Sequence, residues 1–250
     1  MGARQVIHYH GTPCGATRED VARFASGRHM LIPFVRPEDI GTVAEVCQSF
    51  CADSGAYTAW KQGTVIDFEE YRGFVRIWYR HPAFDFALID DVIDGTEADN
   101  DALVEAWPED LQAVGVPVWH MHESLQRLRR LCESFPRVAL GSSGDFATVG
   151  TDKWWRRMSQ AMPYACDNEG RPITRLHGLR MLDPEVFKHL PLASADSTNA
   201  VRNSSSYSRF GMYQPPNAST RMAIIAERIE AHQSAALWLS PPSEPMLELF

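Results

Sequence analysis

Short apolar segments recur along the chain, and a stretch of helical periodicity follows each one. Eight read as strands: QVIHYHG (5–11), HMLIPF (29–34), SFCADSG (49–55), FALIDDV (86–92), VPVWHMH (116–122), RVALGSSG (137–144), ITRLHGL (173–179) and LASADST (192–198). Between and after them, apolar positions at helical spacing predict helices at 17–26, 36–48, 67–80, 99–114, 123–134, 151–162, 183–190 and 219–239. Several of these begin with Asp, Ser or Thr, and Pro37 and Pro184 suit a first helical turn. Short buried strands alternating with helices point to parallel βαβ units. Eight units predict an α/β fold, a single (β/α)8 barrel of the TIM type, over residues 1–240, with 241–250 as a tail. The rival is an open doubly wound sheet, but no G-x-G-x-x-G follows the first strand.

Composition narrows the class. The chain of 250 residues is 44% hydrophobic and 22% charged, as a globular protein is. No apolar run is long enough to span a membrane, and Met1 to Arg18 lacks the apolar core of a signal peptide. The expected location is the cytoplasm, without a membrane partner. Five scattered cysteines suit a reducing compartment, and no second Cys/His pair accompanies Cys47 and Cys51 at zinc-site spacing. A net charge of −8 argues against a general nucleic-acid coat but leaves room for a local basic groove. Two runs qualify, RLRR (127–130) and KWWRRM (153–158). In the second, Lys153, Trp154, Arg156 and Arg157 could stack bases and neutralise phosphates, or form a solvated helix face.

The segment LPLASADSTNAVRN (190–203) ends an apolar run at a lone carboxylate, Asp196. That acid either caps the next helix or sits in a reaction site. Barrel active sites lie where the strands end. The polar residues there are Asp53, Asp90, Asp91, His120, His122, Ser142, Ser143, Gly144, His177 and Asp196. Carboxylates ending three strands would repel one another on one rim unless they have a use.

ADSGAYTAW (52–60) resembles the D-S-G-G-F segment of the tRNA-guanine transglycosylases and, more closely, of their DNA-acting relatives, the 7-deazaguanine DNA transglycosylases of phages and bacteria. The likeness continues in order through LIDDVID, VPVWHMHES, VALGSSG, RLHGLRML and ADSTNAVRN, nearly the whole chain. The resemblance implies that Asp196 attacks the anomeric carbon of a nucleotide and expels its base, with Asp53 as proton donor or acceptor. It implies that Asp91, or Asp90, bonds the edge of the base. Ser54 and Gly55 would let a flat ligand approach the backbone, Tyr57 or Trp60 would stack on it, and amides near Ser143 and Gly144 would bind its carbonyl. His177 joins this set, and His120 or His122 stands where the tRNA enzymes use glutamine. The base must be flipped out of its stack to enter. Arg202 and Arg209 sit in a polar tract (202–220) that is either a DNA-gripping lid or a loose loop. No cofactor is implied, and the zinc subdomain of the tRNA enzymes has no counterpart here.

The implied activity is exchange of a base in DNA for a 7-deazaguanine-type base. Hydrolysis of the same adduct would instead make a DNA glycosylase that leaves an abasic site, as in phage defence. A third reading takes His8 and His10, i and i+2 on the first strand, as metal ligands completed by His120, His177 and Asp196, as in barrel amidohydrolases. A DNA-binding barrel without catalysis is the non-enzymatic alternative.

Overall fold

A computed structural model describes residues 5–206, 210–211 and 213–239. The nine strands are β1 Ile7–Gly11, β2 His29–Pro33, β3 Ser49–Asp53, β4 Phe84–Leu88, β5 Gly115–Val116, β6 Val118–His120, β7 Arg137–Gly141, β8 Arg175–Gly178 and β9 Ser194–Ser197. All are parallel, in the order β5-β4-β3-β2-β1-β9-β8-β7-β6. The helices are α1 Arg18–Ala25, α2 Ile40–Val46, α3 Ala56–Gln62, α4 Phe68–Trp78, α5 Glu97–Glu105, α6 Leu125–Ser134, α7 Asp152–Ala165, α8 Pro184–Phe187, α9 Asn199–Arg202 and α10 Ala218–Glu230. The result is an α/β fold around a nearly closed parallel barrel. Among the described residues no helix is long and apolar enough to cross a membrane.

The sheet's two end strands are neighbours in the chain. Only Pro117 separates β5, which pairs with β4, from β6, which pairs with β7. Proline has no N–H for the ladder, so the expected strand at 116–122 is interrupted there. The Pro117 carbonyl still accepts the Ala139 amide at 2.9 Å.

Side-chain alternation sorts the strands into two shells. Tyr9, Leu31, Cys51, Phe86, Val118 and Ala139 fill the barrel. Met30, Ile32, Phe50, Leu140 and Ala195 point outward under the helices, against Phe24, Val43, Trp154 and Ile225. Thr17, Asp67, Thr96, Ser124 and Thr151 each accept an amide at the start of α1, α4, α5, α6 and α7. Such caps contribute about 1 kcal/mol each.

The helix expected at 99–114 ends at Glu105, α9 has no expected counterpart, and two further departures have a local cause. Residues after β3 turn at once into α3, begun by Gly55 at φ 82° and ended by Gly63 at φ 67°. A Cβ on Gly55 would lie 2.4 Å from Val35 Cγ2, so the turn requires glycine. The last helix stops at Glu230 rather than near 239. Beyond it the buried Ser234 hydroxyl donates to the Leu190 carbonyl and accepts the Leu192 amide, drawing the chain off the helical path. The expected tail at 241–250 lies outside the described residues.

Candidate active site

A cavity of about 510 Å³ opens at the end of the barrel where the strands finish. Parallel register brings its acids together. Asp53 ends β3 beside Pro33 of β2, and Asp196 in β9 pairs with Tyr9 of β1. Asp91 follows β4. All three line the cavity, with His120 from the end of β6.

Asp196 is buried, and its Oδ1 accepts the Arg180 amide at 3.1 Å. His177 Nε2 lies 3.3 Å from the same oxygen without good hydrogen-bond alignment. The imidazole is fully buried, its Nδ1 2.8 Å from Ser194 Oγ and its ring edge-on to Phe86. It therefore backs Asp196 from inside the barrel rather than lining the cavity. The helix-cap alternative for Asp196 is not what forms, since the carboxylate bonds Arg180 while Ser197 Oγ accepts the Asn199 amide.

Asp53 Oδ1 accepts the Gly55 amide at 3.1 Å. Desolvation in the cavity wall outweighs that bond and pushes its carboxyl up to about 7, with the charges of Asp91 and Asp196 pushing the same way. Asp91 Oδ2 lies 3.0 Å from His120 Nε2, yet neither nitrogen of the buried His120 ring has an aligned partner. The pair faces the cavity with hydrogen-bonding capacity to spare.

Other expected residues divide. Tyr57 lines the cavity, and the Arg180 guanidinium lies 3.8 Å from its ring centroid. Trp60 packs against Tyr57, with ring centroids 5.9 Å apart, and is exposed. Asp90 turns away into an ion pair with Arg72 at 2.7 Å, so of the two adjacent acids only Asp91 faces the cavity. Ser54 and Gly55 shape the turn instead of touching the cavity, with Ser54 Oγ accepting the Ala56 amide. His122 bridges Ser143 Oγ and the Gly95 carbonyl, stacked behind His120. Ser143 and Gly144 lie beyond the cavity wall, which Gly141 and Ser142 form. A Cβ on Gly141 would approach His120 Nδ1 to 3.1 Å, so this glycine keeps the His120 side clear.

The first-strand histidines are corrected outright. Tyr9 points into the barrel, so His8 and His10 point out. His8 Nε2 meets the His232 carbonyl, and His10 Nε2 lies 2.8 Å from Glu230 at the end of α10. They do not share a centre with His120, His177 and Asp196. Among the described residues no group of three or more His, Cys, Asp or Glu side chains is placed to hold a metal.

Of the basic runs, the stacking role of Trp154 is corrected, and most of the cations are engaged within the fold. Trp154 is fully buried with Nε1 on Ser142 Oγ, so it cannot stack a base. Arg157 is spent on the carbonyls of Met121 and Glu123, and Lys153 pairs with Asp145 at 2.6 Å. Arg156 alone of that run is exposed without an ion pair among the described residues. In RLRR, Arg127 is buried between Glu123 and Asp101, while Arg129 and Arg130 pair with Glu133, Glu97 and Asp101. Among the described residues, the cations on the cavity are Arg36, Lys61, Arg180 and Arg202. Of these, only Arg202 was expected from sequence. Lys61 and Arg202 are exposed and form no ion pair among the described residues, whereas Arg36 pairs with Glu38. Arg209 lies outside the described residues. No family model and no curated protein matches this chain.

Proposed function

We propose that this chain is an enzyme cleaving the N-glycosidic bond of a nucleobase in DNA, on a (β/α)8 barrel of the tRNA-guanine transglycosylase type. The reading counts β5, Pro117 and β6 as one interrupted strand, which a single proline between them supports. The observation that carries the reading is the convergence of Asp53, Asp91 and Asp196 on one cavity, with Asp53 raised to about 7 and, among the described residues, no cation directly paired to Asp53 or Asp196.

Asp196 Oδ2 carries no hydrogen bond among the described residues and serves as the nucleophile. It forms a bond to C1′ as the C1′–N bond breaks, and the electron pair leaves on the base. A carboxyl near 7 is part protonated at neutral pH, so Asp53 gives its proton to the departing base. Asp91 and His120 bond the base edge, and Tyr57 offers a ring to its face. Arg36, Lys61 and Arg202 meet the flanking phosphates. In the second half-reaction an incoming 7-deazaguanine-type base attacks C1′, Asp53 takes its proton, and Asp196 is released. If water attacks instead, the same site is a glycosylase leaving an abasic position. The protein works in the cytoplasm on a flipped or single-stranded nucleotide.

The test is incubation with single- and double-stranded DNA carrying guanine or modified bases, with and without free 7-deazaguanine-type base. Mass spectrometry then reads free base, abasic sites and incorporated base. Incorporation supports exchange, and free base with abasic DNA supports hydrolysis. No release from any substrate, with an active control enzyme alongside, rejects both.

A further inference from the structure

Arg180 is the one non-glycine residue with positive φ, 60°, among the described residues. An L-residue resists this conformation because its Cβ crowds the backbone, while glycine adopts it freely. The chain nevertheless places a long cation there, two residues past the end of β8, so its side chain offsets a conformational cost. Its guanidinium crosses to two opposite walls of the cavity. One nitrogen donates to the Ser142 carbonyl after β7, and the plane lies over Tyr57 of α3 at 3.8 Å. The backbone of the same residue does the remaining work. Its amide donates to Asp196 Oδ1 at 3.1 Å, and Leu182 N donates to the Asp196 carbonyl at 3.2 Å. The turn after β8 therefore touches both the side chain and the backbone of Asp196.

We propose that Arg180 is a positioning residue whose guanidinium, anchored on Ser142 and Tyr57, holds the left-handed turn that aims its own amide at Asp196. The proposal rests on Asp196 being the nucleophile. With Oδ1 held by the amide, Oδ2 is the oxygen presented to the cavity, and the carboxylate cannot rotate freely between the two. Tyr57 then has a second task beside any contact with a base: its ring is one of the anchors.

Three substitutions, all of which remove the guanidinium, separate the backbone conformation of the turn from the side chain. R180G removes the side chain but leaves a residue that reaches positive φ without strain, and R180N does so nearly as well. R180A removes the anchor and keeps the strain, so its backbone relaxes and the amide swings away. Base release by R180A falls about 100-fold in kcat with KM little changed, because a misplaced reacting group costs that order of rate. R180G and R180N fall by about 5-fold, since glycine and asparagine reach the conformation without being locked in it. Equal losses in all three, a rise in KM alone, or no loss in any would overturn the proposal. The first two patterns would make the guanidinium a direct substrate contact.

A second readout needs no catalysis and so survives failure of the glycosidic reading. In 15N-resolved NMR, the residue-180 amide proton should lie downfield because it donates to the Asp196 carboxylate. That signature should persist in R180G and R180N and vanish in R180A and D196N. Retention in R180A sinks the proposal even if the wild type releases no base. The signature together with an inactive wild type leaves the turn's role standing and rejects only the reaction.

Discussion

Where the barrel strands begin, Asp85 accepts hydrogen bonds from the Tyr9 hydroxyl and from both terminal nitrogens of Arg137, at 3.0 and 3.3 Å. Arg137 also stacks over Phe86, and His29 Nδ1 meets Ser49 Oγ at 2.7 Å. Where the strands finish, Asp53 has one backbone amide, Asp196 has another, and Asp91 has a neighbouring imidazole out of alignment. Both ends hold carboxylates, but Asp85 is satisfied by an arginine at the first, while at the second only Asp90, turned away from the cavity, has one, in Arg72. A paired carboxylate holds structure together, and removing it strands its partner. Clustered carboxylates with no cation directly paired to them store repulsion that a ligand or a proton relieves. The contrast predicts opposite outcomes for the same chemical change at the two ends.

The largest effect is expected at Asp196. D196A should lower base release by about 10,000-fold, as loss of a covalent nucleophile does. Its midpoint in urea should be unchanged or higher, because a repelling charge has gone. D85A should do the reverse. It leaves Arg137 unpaired beside Phe86 and should cost about 2 kcal/mol in urea unfolding, less than a fully buried pair because Asp85 is 26% exposed. Its folded fraction should retain activity. If D85A abolishes turnover while D196A destabilises the fold, the division between the two ends is wrong.

Asp53 sharpens the comparison through pH. Its carboxyl is raised to about 7 when folded, against about 3.9 in an unfolded chain. Between those values the folded state holds a proton that the unfolded state has lost. Stability therefore falls as pH rises from about 4 to about 7, then levels off. D53N should remove Asp53's share of this fall and leave the smaller share of Asp90, whose carboxyl burial raises to about 6, so that the variant melts with the wild type near pH 4 and above it near pH 8. In activity it should lose about 100-fold or more, the usual worth of a general acid. The wild-type decline in base release above about pH 7 should disappear with it. A wild-type melting temperature that does not fall between pH 4 and 7 would place Asp53 among the ordinary carboxylates.

Much of this contrast was legible in the strand ends. The alternation of strands and helices anticipates a parallel α/β fold, and the acids at 53, 91 and 196 all reach one cavity. What sequence withholds is the side each residue faces. His8 and His10 do share a face, as i and i+2 must, but a one-residue choice of register decides whether that face is the barrel or the helix layer. Tyr9 took the interior. Asp90 and Asp91 pose the same ambiguity after β4, where the register to β3 shifts between Phe50 and Ala52. Arg72 on α4, distant in sequence, takes Asp90. Trp154 and Arg157 looked like a surface because helical spacing does not reveal which neighbour supplies a carbonyl or a hydroxyl. Arg180 is illegible for a different reason. Its value lies in a backbone torsion, and nothing in HGLRML marks a left-handed arginine.

The smallest effects should fall on the cations, and they test where nucleic acid lies relative to the two ends. Lys61 and Arg202 flank the cavity without acidic partners among the described residues, whereas Lys153 is engaged by Asp145 on α7's approach. A cation that meets a phosphate releases counterions, so each such loss reduces the salt slope of binding by about 1. K61A and R202A should each weaken DNA binding several-fold at low salt, and together should reduce the slope by about 2. K153A should leave both affinity and slope unchanged. R156A is the sharper control, because Arg156, like Lys61, is exposed and forms no ion pair among the described residues but does not line the cavity. If R156A and K153A reduce the slope while K61A and R202A do not, DNA crosses α7, and the cavity rim is not its track. If all four are silent in the salt slope, the ligand that reaches the three acids is not a polyanion.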